Sequence, residues 1–444
     1  MKIRVVTSAL FLISTMSLVA YGQAVPAGVA TISQDPNPVA PDGVLHYALS
    51  ASEIVQFGYY GSGSVTSSAV LSGDVGYTSK SEVRPFSLLL AVGVLLPNQS
   101  VQGGVTTYEH VTASQGYVTR NWIFNLSDTF SFLPESPTTG LSGVAGVGDI
   151  GVTPVQGPAE GPAGGVLTVS GDRIGNTLGG SAERLITPAT SISGSGSWSV
   201  LRFVDAQAQG LDYSRTSGMV AVNHRIDQRS TVSLSAVYSA FDYSGSQAGA
   251  SEPNFQSQEI NLSYQRLLSR TLNISASIGP LWVSSSNSAL IPSTLSAAGS
   301  GSLTYSQRYT HASVFFSRGV NGGSGVLPGA LSDVVGFGAG RKYGRDWVVS
   351  LTGAYVYTSG LTDLNTLEGN PVSPTPVHEI FETVYGGVQA RRRISTNLSG
   401  FLSFTAQNQS TNYSLGAQNA FSGTSETFGI GISFSPRSTN LGQF

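Results

Sequence analysis

Charge is what this 444-residue sequence has least of: Asp, Glu, Lys and Arg make up 11 % of it. Typical soluble domains carry roughly 25 % charged residues. The formal net charge is −3. That balance excludes a basic nucleic-acid footprint, and the triple Arg391-Arg392-Arg393 is expected to be a polar turn. Cysteine is absent, so disulfides and thiolate metal sites are excluded. The His residues (His46, His110, His224, His311, His378) stand apart, with no H-E-x-x-H or paired spacing, so no metal site is expected. A G-x-S-x-G elbow is missing as well. Gly146-Val-Gly148-Asp-Ile-Gly151 matches G-x-G-x-x-G but neither follows a predicted strand nor opens a helix, so it fails the dinucleotide context. Neither an enzyme nor a cofactor is expected. No long segment repeats its apolar residues with the 3.6 period of an amphipathic helix.

What the chain has is alternation. In TVSLSAVYSA (231–240), Val232, Leu234, Ala236, Tyr238 and Ala240 alternate with Thr231, Ser233, Ser235, Val237 and Ser239. Successive strand side chains point to opposite faces, so this strand has one apolar face and one face of hydroxyls without charge. The pattern recurs in SQEINLSYQ, RTLNISASIGPLW, DWVVSLTGAYVYTSG, STNLSGFLSF and ETFGIGISFSP. Short basic joints at 223–231, 264–272, 339–347 and 390–398, with a weaker copy at 306–314, separate long links rich in Gly, Ser, Asn and Pro. Short joint and long link in turn is the rhythm of an up-and-down barrel. In a membrane barrel the apolar face meets lipid and the polar face lines the interior, which needs charge only at the rims.

The organisation follows. Residues 1–24 have a basic start (Lys2, Arg4), an apolar run and small residues at cleavage spacing, and are expected to be a secretory signal peptide. Residues 25–44 are assigned to a periplasmic segment, 45–436 to the barrel and 437–444 to a C-terminal tail. The fold class is all-β: a transmembrane antiparallel up-and-down barrel of about sixteen strands, within twelve to eighteen. Residues 115–132 are taken as one strand, and Glu53 as the site of a bulge or a miscount. Residues 134–190 form a Gly/Pro-rich insert leaving from the periplasmic end, to plug or constrict the lumen, sit below the barrel, or remain a linker. Aromatic residues at strand ends suggest interfacial girdles. Candidate lumen-lining residues are Asp74, Arg202, Arg215, Asn223, Glu259, Asn261, Gln265, Asn273, Thr352 and Gln389, with Arg120 as a weaker candidate. Their mixed sign suggests weak selectivity by size.

The signal peptide, the repeated basic turns and the last strand FGIGISF together resemble the porin-like outer-membrane β-barrel proteins of Gram-negative bacteria. The resemblance covers most of the mature chain. It implies an outer-membrane location and contact with lipid and lipopolysaccharide. It also implies that the barrel-assembly machinery recognises Phe428, Ile430, Ile432 and Phe434, although SPRSTNLGQF follows and Pro436 makes a poor strand. The expected function is passive diffusion of small polar solutes. A non-conducting scaffold for polysaccharide or export machinery is the alternative, an outer-membrane hydrolase is less favoured, and a homo-oligomer stays open.

Overall fold

The computed structural model describes residues 43–58, 64–97, 105–133, 173–204, 212–244, 253–323, 327–363, 378–412, 421–436 and 439–441. Eighteen long strands follow one another: β1 (Gly43–Phe57), β2 (Val65–Ser79), β3 (Phe86–Pro97), β4 (Thr106–Val118), β5 (Trp122–Leu133) and β6 (Arg173–Leu185). Then come β7 (Thr190–Phe203), β8 (Tyr213–Arg225), β9 (Ser230–Tyr243), β10 (Phe255–Leu267), β11 (Leu272–Ser285) and β12 (Thr294–Ser306). The last are β13 (Thr310–Asn321), β14 (Ala330–Tyr343), β15 (Trp347–Gly360), β16 (Ile380–Arg393), β17 (Leu398–Thr411) and β18 (Gly423–Phe434). Each pairs antiparallel with its chain neighbours, and β18 returns to β1 with Leu49 opposite Phe434 and Phe57 opposite Glu426. The barrel is therefore closed, and every long strand has a partner on both sides. A short β19 (Thr439–Leu441) pairs with Gly43–Leu45 below the end of β18. Residues beyond Pro436, expected as a tail, thus contribute one more pairing.

Period-2 alternation decides which side chains face out. Across β8, β9 and β10, Val222, Leu234 and Leu262 lie in one cross-strand row and are all exposed. The next row, Ala221, Ser235 and Asn261, faces inward. Leu234 is 54 % exposed and Ser235 only 8 %. The same sorting puts Ile278, Leu303, Val335, Leu351, Val384, Leu402 and Ile430 on one exposed outer belt. So much exposed apolar surface marks a face that water does not cover.

The short turns share a mechanism. The Ile226 amide donates to the Ser230 carbonyl, and Asp227 Oδ1 accepts from the Arg229 amide. Around 394–398 the Ile394 amide donates to Leu398, and Ser395 Oγ accepts from the Leu398 amide. The turn 186–190 repeats this, with Thr187 Oγ1 accepting from Thr190 N. One polar side chain per turn closes the backbone that the tight reversal leaves open. The exposed Asp227 carboxyl is held below the usual carboxylate range by the Arg229 amide hydrogen bond.

Three expectations change. Residues 115–132 are two strands, β4 and β5, reversed at Arg120-Asn121 by paired hydrogen bonds between Thr119 and Trp122. Residues 173–190 are not insert: they form β6 and the turn into β7. With one more strand before it, the remaining link 134–172 leaves from the end that carries the long links, not from the short-turn end. Those residues, like the expected signal peptide and 25–42, lie outside the described residues. Glu53 causes no bulge, because the β1–β2 register runs unbroken from Gly43↔Ser79 to Phe57↔Val65. Its side chain lies on the outer face in a row with Ala69 and Ile430, and Ser67 Oγ donates to Glu53 Oε1 at 2.6 Å.

Candidate functional site

The barrel interior is the candidate site, and its wall is largely hydroxyl. On β7 the inward row is Ser191, Ser193, Ser195, Ser197 and Ser199, and it continues as Ser217 on β8 and Ser233, Ser235 and Ser239 on β9. Further round, Ser275 meets Ser302 and Ser277 meets Ser300, each at 2.7 Å. Small hydroxyls pair along the wall without projecting far from it, which leaves a polar surface with few charges.

The expected lumen residues mostly fall on this wall. Asp74 pairs across strands with Ala48 and Ala91, facing in. Asn223 Nδ2 donates to Ser191 Oγ and Ser193 Oγ at 3.3 and 3.4 Å, while Ser191 Oγ donates to Glu183. Glu183, buried at the start of this chain of bonds, had not been singled out from the sequence. Arg215 Nη2 donates to Ser239 Oγ at 3.0 Å, and its guanidinium lies 5.1 Å from the Phe241 ring centroid. Glu259 accepts from Asn261 Nδ2 at 3.0 Å. Gln265, Asn273, Thr352 and Gln389 also take inward positions in their registers. Among the described residues Asn261 Oδ1, Asn273 Oδ1 and Arg215 Nε have no hydrogen-bond partner. In a dry core each such atom would cost roughly 1–3 kcal/mol. Only a water bonded directly to each atom would remove that cost.

Arg202 is the correction. It shares its face with Ile192 and Trp198 and so points outward, 3.9 Å from Asp212. Arg120 sits in the exposed turn between β4 and β5, away from the wall. Inward acids and bases of both signs stay dispersed. Among the described residues no group of three or more His, Asp or Glu could hold a metal ion.

At the long-link end the inner face changes character. Phe241, Tyr243, Phe255, Leu281, Val283 and Ala298 point in and form one buried apolar cluster with Ile291 and Val320. Phe241 and Phe255 stack at 4.5 Å with an interplanar angle of 16°. Described parts of three links fold onto this cluster. Leu290 and Ile291 come from the β11–β12 link, and Leu361 follows β15. The Tyr243 hydroxyl donates to the Gly322 carbonyl in the β13–β14 link at 2.6 Å. A Cβ at Gly322 would fall 2.4 Å from the Tyr213 ring, so the link lies hard against β8. The Leu361 amide donates to Gly329, and the Asp363 amide to Leu290. Three links thus meet in one apolar knot inside the wall. This knot fills the interior at the long-link end; residues 134–172 of the expected insert lie outside the described residues.

Beside the knot the Gly360 amide donates to the Glu379 carbonyl, and His378 Nδ1 lies 3.2 Å from the Thr362 carbonyl. The Glu379 side chain is buried, Oε1 has no hydrogen-bond partner among the described residues, and burial pushes its carboxyl up to about 7. Nothing in the sequence around Glu379 signals this, because the burial comes from links distant in the chain.

The last strand presents Phe428, Ile430, Ile432 and Phe434 on one exposed outer row.

No family model matches the chain, and no curated protein matches it. Solved structures similar to it include the outer membrane protein opdK from Pseudomonas aeruginosa, at 10 % identity and TM-score 0.45, over 89 % of this chain and 99 % of that one. Pseudomonas aeruginosa OccK8 (OprE) is similar at 10 % identity and TM-score 0.41, over 90 % and 98 %. A BenF-like porin from Pseudomonas fluorescens Pf-5 is similar at 11 % identity and TM-score 0.45, over 90 % of this chain and 99 % of that chain.

Proposed function

We propose that this protein is an outer-membrane channel for passive, weakly selective diffusion of small hydrophilic solutes. One observation carries the reading: a closed barrel whose outer belt is exposed and apolar while its inner wall is polar. Closed barrels are the only sheets that satisfy every backbone group inside lipid. The polar wall then has to be wet, and a wet wall through a bilayer is a path for solutes. Solutes would meet the hydroxyl rows of β7–β12, the dispersed groups Asp74, Asn223, Asn261, Gln265, Asn273, Thr352 and Gln389, and the Arg215–Glu259 neighbourhood. The knot at the long-link end would narrow the path and set the size limit. Dispersed charges of both signs favour size over charge as the criterion. The outward row Phe428, Ile430, Ile432 and Phe434 would be the feature read by the assembly machinery, after export by the N-terminal 24 residues.

Liposome swelling tests the reading. Vesicles holding the refolded protein should swell in small sugars and progressively less in larger ones. Absence of swelling with properly inserted protein would favour the non-conducting scaffold instead.

A further inference from the structure

The outer belt is interrupted on one side. Between β4 and β8, near the short-turn end, Ala182, Gly180, Gly194, Gly196 and Gly218 occupy adjacent outward positions in two cross-strand rows. Taller side chains surround them, and the result is a dent of about 710 Å³ walled by Tyr117, Phe124, Leu126 and Val220. The glycines are not required by the backbone. A Cβ would lie 3.8 Å from its nearest neighbour at Gly180 and Gly194, 3.7 Å at Gly196, and in open space at Gly218. None has a positive φ. The sheet would accept larger residues here, as it does elsewhere on the belt, so the hollow is available to an occupant.

The short-turn edge of the dent says what kind. The Arg184 guanidinium lies 5.4 Å from the Trp122 ring centroid, and Trp122 stacks on Phe124 at 5.4 Å and 7°. The Arg84 guanidinium lies 5.7 Å from the Tyr117 ring. Both cations are exposed, and among the described residues neither has a carboxylate partner. Cation–π stacking fixes each guanidinium over an aromatic ring while leaving its donors open. An apolar hollow in the lipid-facing belt, ending at two uncompensated guanidiniums at the headgroup level, matches an acyl chain joined to a phosphate. Asp128, on the same outer face, lies toward the opposite end of the dent and engages Asn176. The charge arrangement therefore orients the headgroup toward the short turns.

We propose that this dent binds one anionic phospholipid, with an acyl chain over the glycine floor and the phosphate held by Arg184 and Arg84. The proposal rests on the membrane reading above.

Native mass spectrometry of the full chain, released from detergent micelles carrying either phosphatidylglycerol or phosphatidylcholine, tests it. The wild type should retain one phosphatidylglycerol with a preference of roughly tenfold over phosphatidylcholine. Arg84→Gln with Arg184→Gln should abolish that preference. Gly194→Val with Gly218→Val should fill the hollow and lose retention of both lipids. Equal retention of the two lipids by the wild type, or undiminished retention in the filled variant, would overturn the proposal. A two-chain species that disappears on filling would overturn it too, by giving the hollow to a second copy. Protease protection of the same proteins in vesicles separates the two readings. Protected protein without lipid preference sinks only the lipid site, whereas unprotected protein sinks the membrane reading and this site with it.

Discussion

Placing one arginine on either face of β9 tests the two-sided wall. Leu234 lies in the outer belt between Val222 and Leu262, on the short-turn side of the middle of the strand. A lipid-facing Arg costs roughly 2–4 kcal/mol at the midplane and about 0–1 kcal/mol near the interface. For Leu234→Arg, between these depths, we expect a loss of about 2 kcal/mol. Ser235, the next residue, faces in between Ala221 and Asn261. A guanidinium there extends into a hydrated interior, so Ser235→Arg should stay within about 0.5 kcal/mol, the ordinary range of surface substitutions. Urea unfolding of the protein in lipid vesicles, followed by tryptophan fluorescence, gives both midpoints. Equal losses, or a larger loss for Ser235→Arg, would refute the assignment of faces and with it the lipid-facing belt.

Two further outcomes follow from particular elements. Replacing 138–170 by a short Gly-Ser linker should leave a folded, heat-modifiable barrel, whereas replacing 138–188 should not, because it removes β6 from the wall. Folding of the longer deletion would mean that β6 is dispensable. The second outcome concerns pH. Burial raises the Glu379 carboxyl to about 7. Between the ordinary carboxylate range and about 7, the packed mouth holds a proton that an opened mouth would release. Rising pH should therefore loosen the 360–363 and 378–379 packing until about pH 7 and change little beyond it. Protease cleavage of folded protein in this region should rise from pH 5 to pH 8 in the wild type and stay flat in Glu379→Gln. The same rise in both would assign the effect elsewhere.

Most of the wall is legible because most strands keep period 2 over their central residues and the short turns keep one chemistry. The misreadings have physical causes. Residues 115–132 contain no Gly-Pro or Asn-Gly break at their reversal, only Arg120-Asn121 closed by Thr119, so alternation appears to run through it. β6 mixes Asn176, Gly180, Ala182 and Arg184 into its outward row, which hides its apolar face. The signal for its end was nevertheless present: Arg184-Leu185-Ile186-Thr187 resembles the basic turns recognised elsewhere. Two missed strands left the count even but moved the 134–172 link to the wrong end of the barrel. Arg202 was misplaced because polarity inverts at the long-link end, where Phe203, Phe241 and Phe255 point inward. That inversion is the knot itself, built from links whose meeting no local pattern encodes.

Single-channel recording in planar bilayers decides whether the lumen conducts and whether the knot narrows it. The wild type should give discrete open steps. In Gly322→Val the new side chain collides with the Tyr213 ring, which its packing against Phe241 and Tyr243 keeps from yielding. The β13–β14 link should then lift from the wall, and the steps should become larger while the barrel stays folded. Folded protein that inserts but passes no current in either form would exclude a conducting lumen.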